Sequence, residues 1–126
     1  MPVNSKRKGS DGENELAKIL RGYGYPNVRR SQQYCGGTEE SADLVGLPNV
    51  FIECKRVQNL NLHQAMRKAI DDCEKAGSDK LKAIFHRKNR EQWLVTMTLE
   101  EWIQLYGLSD YSDKDEVEEE DGTEIQ

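Results

Sequence analysis

The chain has 126 residues, enough for one domain with a single modest core. Charged side chains make up 33% of it and hydrophobic ones 36%, with a net charge of -5, and no run approaches the ~20 apolar residues of a membrane span. The start MPVNSKRKGS lacks the apolar stretch of a secretory signal, and Cys35, Cys54 and Cys73 form neither a disulfide framework nor a C-x-x-C metal pair, so a reduced, cytoplasmic setting is expected.

A basic arm, residues 1–9 with Lys6, Arg7 and Lys8, leads into Ser10-Asp11-Gly12-Glu13, which has the form of a capping box. Behind it Leu16, Ala17, Ile19, Leu20 and Tyr23 recur at helical spacing, predicting a first helix over about 11–23. The breakers of Gly22-Tyr23-Gly24-Tyr25-Pro26 end it, and a short strand is expected over 27–31, followed by a loop through Gly36-Gly37. Strands are then predicted over 42–46 and 50–56. In the second, alternation puts Val50, Ile52 and Cys54 on one face and Phe51, Glu53 and Lys55 on the other. The stripe Leu62, Ala65, Met66, Ala69, Ile70, Cys73 predicts a helix over 60–76, ended by Gly77. Strands over 82–87 and 92–97 follow, and Thr98-Leu99-Glu100-Glu101 caps a last short helix to about Tyr106. Trp93 and Trp102 are expected to pack in the core. The order α-β-β-β-α-β-β-α is that of an α/β domain with a mixed sheet flanked by helices, over residues 10–108.

Residues 109–126 carry nine acidic side chains and one lysine, which leaves 17 basic against 14 acidic side chains in residues 1–108. Such an acidic segment buries too little apolar surface to offset its ordering entropy and is expected to be a disordered tail. The body is mildly basic, which is compatible with a nucleic-acid partner.

Asp43 and, ten residues later, Glu53-Cys54-Lys55 form the segment that carries chemistry. If their strands are neighbours, two carboxylates come close together, and each raises the other's pKa unless a cation lies between them. Such oxygen donors suit Mg²⁺, which binds through one or two carboxylates together with substrate phosphate. A lysine on the same strand face can orient a water and offset charge growing on a phosphate. This is the equipment for hydrolysing a phosphodiester. The competing reading of Glu-x-Lys is a solvated ladder of charges, and that of Glu13 is a helix cap. For Cys54 a small buried hydrophobe is expected rather than a nucleophile, and the spacing of His63 and His86 does not suit zinc.

The set Lys8-Gly9-Ser10, Glu13, Arg29-Arg30, Gly36-Gly37, Ser41-Ala42-Asp43-Leu44-Val45 and Glu53-Cys54-Lys55 resembles the archaeal-type Holliday junction resolvases of the PD-(D/E)XK nuclease superfamily. The stretch from Ala83 to Arg90 and Trp93-Leu94-Val95 is similar to small phage-encoded nucleases of the same superfamily. The resemblance covers about residues 6–106 and implies a restriction-endonuclease-like fold. It implies a metal-dependent endonuclease acting on branched DNA or a four-way junction, with Mg²⁺ as cofactor (Mn²⁺ substituting), as a homodimer, in a bacterial host cell if phage-encoded. It makes Glu13, Asp43 and Glu53 the acidic metal ligands and Lys55 the catalytic lysine. Ser41 matches a serine near the scissile phosphate, and Gln64 a glutamine directed at the site. Ala42 departs from the pattern, standing where a proline often precedes the aspartate. Arg29, Arg30, Arg87, Lys88 and Arg90, with Lys6, Arg7 and Lys8, are candidate phosphate contacts, which position a duplex without reading its sequence. A less structure-selective nicking or single-strand nuclease would use the same site. A non-catalytic DNA-binding accessory protein would not need the intact acidic set and lysine.

The tail yields a first prediction. An acidic segment worth -8 competes with phosphate for a basic face, and salt screens that competition. Deleting residues 109–126 should therefore leave circular dichroism unchanged and tighten non-specific DNA binding at low salt, with the difference fading as salt rises. Equal affinities at low salt would place the tail elsewhere.

Overall fold

The structure, a computed structural model, describes residues 5–31 and 42–112. The element order is α1 (Ser5–Gly22), β1 (Arg29–Arg30), β2 (Leu44–Val45), β3 (Val50–Lys55), α2 (Leu62–Lys75), β4 (Leu81–His86), β5 (Leu94–Thr96) and α3 (Leu99–Gly107), as the sequence predicts. The five strands form one sheet in the order β1-β2-β3-β4-β5, consistent with a restriction-endonuclease-like fold. Neighbouring strands are antiparallel except β3 and β4, which run parallel from Val50↔Leu81 to Lys55↔His86 with α2 as their crossover. A parallel pair needs such a crossover, and the helix it brings covers one face of the sheet.

The alternation along β3 is as expected, and both of its faces are covered. Ile52 and Cys54 pack with Leu16 and Ala17 of α1, together with Val28, Leu44, Ala83 and Phe85. On the opposite face, Phe51 packs with Ala42 and with Cys73 of α2, and Ile84 of β4 with Ala65, Met66 and Ala69 of the same helix. Glu53 therefore points into a covered face, and only 2% of it is exposed. The solvated charge ladder is excluded for that residue.

Three expectations need correction. The first helix begins at Ser5 rather than near residue 11, so residues 5–9 of the basic arm are helical and Ser10 and Glu13 lie inside the helix. Lys6, Arg7 and Lys8 are good helix formers, and a capping pattern permits a helix start without compelling one. Trp102 is not core: it is 47% exposed and stacked on Tyr106, with ring centroids 5.1 Å apart. Trp93 is half-buried at the edge of the cluster under α1. Residues 109–112, placed by the sequence in the tail, carry a helical turn from Asp110 to Ser112; residues 113–126 lie outside the described residues. Among the described residues, no helix is long and apolar enough to cross a membrane.

The turn between β2 and β3 rests on Gly46, whose φ is +98°. A Cβ there would run into the backbone carbonyl of Asn27. Both the left-handed backbone and the close approach require glycine. Gly46→Ala should lower stability by about 2–4 kcal/mol, read as a reduced urea midpoint. An unchanged midpoint would show that this turn does not hold the β1–β2–β3 edge.

Candidate active site

Asp43 stands immediately before β2, opposite the middle of β3. Its backbone N–H donates to the Ile52 carbonyl at 2.9 Å, and its carbonyl accepts from Ser31 N–H at 3.0 Å. Its carboxylate accepts from Cys54 N–H at 2.8 Å. Where the β2–β3 ladder stops, the aspartate side chain thus replaces a backbone carbonyl as the partner of β3. Asp43 is tied to the residues on either side of Glu53. The two carboxylates that the sequence sets ten residues apart are brought together by this pairing.

Their electrostatics follow from the burial. The Glu53 carboxyl is pushed up to about 7, first by desolvation and then by the Asp43 charge, against the pull of Lys68 and Lys55. The Asp43 carboxyl is pushed up to about 6, again chiefly by desolvation, with the Cys54 N–H opposing and Glu13 adding to the rise. Lys55 Nζ lies 3.6 Å from Glu53 Oε2. Glu53 Oε1 is buried with no hydrogen-bond partner among the described residues. A buried carboxylate oxygen left unpaired costs desolvation energy that a bound cation would repay. The donor set suits a hard divalent ion.

Glu13 reaches the same neighbourhood from α1, and its charge acts on Asp43. Its carboxylate accepts from Arg30 Nε at 2.8 Å, and as a residue inside α1 it is not a helix cap. Among the described residues no three His, Cys, Asp or Glu side chains stand together at ligand spacing. Gln64 is exposed in the first turn of α2, where its backbone N–H is capped by Asn61. Ser41 lies outside the described residues. So do the side chains of Lys6, Arg7 and Lys8.

Two site features escape the sequence reading. Lys68, one helical turn beyond Gln64, bonds Asp72 at 2.8 Å, and its charge acts on both Glu53 and Asp43. Its i,i+4 relation to Gln64 was the available signal. Glu15 accepts from Arg87 Nε and Nη2, each at 3.1 Å, and from Trp93 Nε1 at 3.1 Å, with Arg56 at 3.5 Å. Burial pushes the Glu15 carboxyl up, but these bonds and the charges of Arg87 and Arg56 outweigh it and hold it below its ordinary value. Arg87, also 5.7 Å over the Trp93 ring, is thereby engaged within the fold.

The other candidate phosphate contacts lie on two sides. Arg29 and Arg30 are exposed on β1 at one edge of the sheet, and Lys88 and Arg90 are exposed in the turn after β4. His86 bonds the Thr96 hydroxyl at 2.9 Å, and burial lowers its pKa. Cys54 is buried toward α1 and burial pushes its thiol upward, so it is no nucleophile.

Comparison with known proteins gives one match. A family model described as "Phage putative PDDEXK endonuclease" matches residues 4–118. No curated protein and no solved structure matches the chain.

The raised pair predicts a pH dependence. An acid held above its unfolded value binds its proton more tightly when folded, so its contribution to stability is full below the unfolded pKa and lost as pH rises through the folded one. Without divalent ions, the urea midpoint should fall between about pH 4 and pH 7 and level off above, from Asp43 raised to about 6 and Glu53 to about 7. Asp43→Asn and Glu53→Gln should each remove only part of the slope, because desolvation of the remaining acid persists, and the double variant should remove most of it. A slope retained in the double variant would place its origin outside this pair.

Proposed function

This chain belongs to the phage PDDEXK endonuclease family, and on that premise we propose that it resolves Holliday junctions or other branched DNA by metal-dependent phosphodiester hydrolysis. The observation that carries the chemistry is the buried Asp43–Glu53 pair, with the unpartnered Oε1 of Glu53 inside it and Lys55 beside it. Asp43 and Glu53 would hold Mg²⁺, with Mn²⁺ substituting and Glu13 completing the set directly or through water. When bound, the cation supplies Lewis acidity toward a phosphate oxygen and lowers the pKa of a water.

The remaining work falls to the chain's own groups. Lys55 Nζ donates a hydrogen bond that orients the attacking water and offsets negative charge growing on the phosphate. Asp43, fixed by the Cys54 N–H, keeps its carboxylate in one orientation through the reaction. Ser41 and Gln64 bind and align the scissile phosphate. Arg29, Lys88 and Arg90, with the basic first turns of α1, hold flanking phosphates. These contacts make binding strong and salt-sensitive without reading sequence. Arg30 binds phosphate only when released from Glu13.

A homodimer fits the need for two matched cuts, since one acidic centre per chain cuts one strand at a time and a two-fold junction is met most simply by a two-fold protein. The surface that supports it is α3 with the sheet edge β5. Leu99, Trp102, Ile103, Leu94 and Val95 are all exposed there, and Glu101 is the buried residue of the helix.

Asp43→Asn and Glu53→Gln should each lower Mg²⁺-dependent cutting of a four-way junction at least about a hundredfold, while junction binding in EDTA survives or tightens. Lys55→Ala should lose turnover with Mg²⁺ affinity by calorimetry retained. Undiminished cutting by Asp43→Asn would overturn the site assignment. On a junction labelled in each strand, the cuts should fall symmetrically in opposing strands, and light scattering should report a dimer on the DNA. A monomer that nicks one strand at positions unrelated to the branch point would replace the resolvase by a general nuclease.

A further inference from the structure

The parallel strands β3 and β4 end side by side at Lys55 and His86, which are register partners. Alternation puts His86 on the α2 face with Ile84, the face that also carries Glu53 and Lys55. On that face, just beyond the strand ends, lies a cleft of about 570 Å³ between the β3–α2 loop and the segment after β4. It therefore begins one strand over from the catalytic lysine, on the side away from Asp43. Of its lining the mechanism above uses only Lys88, as a flanking phosphate contact.

Its lining is specific in kind. Val57, Leu60 and Leu62 supply apolar wall, Gln58 and His86 supply amide and imidazole, and Lys88 stands at the mouth. Among the described residues no carboxylate lines it, in a chain with 23 acidic residues. Two other cavities differ in this respect: the one by α3 is lined by Asp79, Glu100 and Glu101, and the one by β5 by Glu91. The cleft is also braced, because Gln58 Oε1 accepts from Asn89 N–H at 2.6 Å and ties its two rims together. Its volume falls within the ~300–1,000 Å³ of small-molecule sites. A flat, apolar-faced ligand with polar edges, attached to a phosphate, fits this chemistry.

We propose that this cleft receives a nucleobase turned out of the stack beside the bond to be cut. The proposal rests on the nuclease reading and adds to it a source of substrate choice. In a continuous duplex the bases lie inside the helix and cannot reach a recess beside the scissile phosphate. Turning one out costs unstacking and unpairing energy, least where the base is already unpaired or at a discontinuity. Apolar walls pack on the base faces, the amide and imidazole meet its edge, and Lys88 takes the adjoining phosphate. DNA with a strained or unpaired nucleotide at the cut is favoured over intact duplex by the cost it has already met.

The test is a four-way junction carrying a single 2-aminopurine at each nucleotide flanking the branch point in turn, titrated with the full chain in EDTA. Fluorescence at one position should rise several-fold on binding as that base leaves the stack. Val57→Trp and, as a second variant on an exposed lining residue, Asn59→Trp fill the cleft. Both should abolish the rise, while junction affinity by anisotropy changes less than about tenfold and the unfolding midpoint stays near that of the parent. No rise at any position, or a rise equally large in both variants, overturns the proposal. The readout needs no metal and no cutting, so it is decided separately from the nuclease reading, which stands or falls on cleavage in Mg²⁺.

Discussion

The hydrogen bond from Cys54 N–H to the Asp43 carboxylate is the constraint on which the rest of the site depends. It joins β2 to β3 where their backbone ladder has run out, and it does so with a charged group. A second carboxylate, Glu53, sits next to the donor peptide and is turned to the opposite face from Cys54. Two acids are thereby held together under α2, in a place where the protein cannot fully solvate either. Burying even one ionised carboxylate costs several kcal/mol after relaxation. The cost is met nearby by the best-buried apolar side chains, Phe51, Leu44, Ile52 and Ile84, which lie on the strands that carry or flank the acids. Packing density and functional strain share the same strands. Stability given up at such a site is the usual trade for activity.

The arginines that pair with the acids of α1 differ in how firmly they are held. Arg87 is bound by two nitrogens to Glu15 and lies over Trp93, so it fastens α1 to the far side of the sheet. Bidentate pairs of this kind are geometrically specific and are not readily surrendered to a ligand. Arg30 is different. It meets Glu13 through a single nitrogen and its side chain is 42% exposed. Exposed pairs contribute about 0–1 kcal/mol, so this single contact is the weaker of the two, and under the proposed function it is the one that would open to give Glu13 to a divalent ion and Arg30 to a phosphate. The bidentate pair keeps the scaffold still.

What the sequence made legible was whatever local periodicity controls. The alternation of β3, the apolar stripe of α2, and the Asn61 and Thr98 helix starts depend on neighbours two to four residues away. Elements and faces could therefore be read from residues alone. The burial of Glu53 could not. It depends on α2 crossing back over the face that carries Glu-x-Lys, a long-range event that leaves no mark on the strand itself. The start of α1 at Ser5 was missed because Ser10-Asp11-Gly12-Glu13 satisfies the capping pattern while also being acceptable helix interior. Gly12 has a different significance. A Cβ there would stand 2.9 Å from Arg56 Cβ, so the residue lets α1 approach the end of β3. Lys68 and Glu15 were passed over because charges on a helix usually face water, and only the tertiary fold shows that Lys68 acts on the acids while Glu15 binds Arg87 and Trp93.

The last helix inverts the usual relation between composition and packing. Aromatic and aliphatic residues dominate α3, yet its buried residue is Glu101. That carboxylate accepts from Lys82 Nζ at 2.6 Å and from the Lys82 N–H at 3.2 Å, while Thr98 caps the helix start. A polar clamp therefore positions α3, and Leu99, Trp102 and Ile103 remain largely in solvent. An amphipathic helix ordinarily gains its stability by burying its apolar face in the domain it belongs to. Here the core is built without that face, since Ile52 packs against Leu16 of α1, and Phe51 and Ile84 pack against α2. The cost of exposing these side chains is consequently separate from the stability of the sheet. Changes on the apolar face of α3 should leave Asp43 and Glu53 undisturbed, whatever covers that face. A domain this small gains from that separation, because any interface built from its core would draw on the same few residues that hold Asp43 against Glu53.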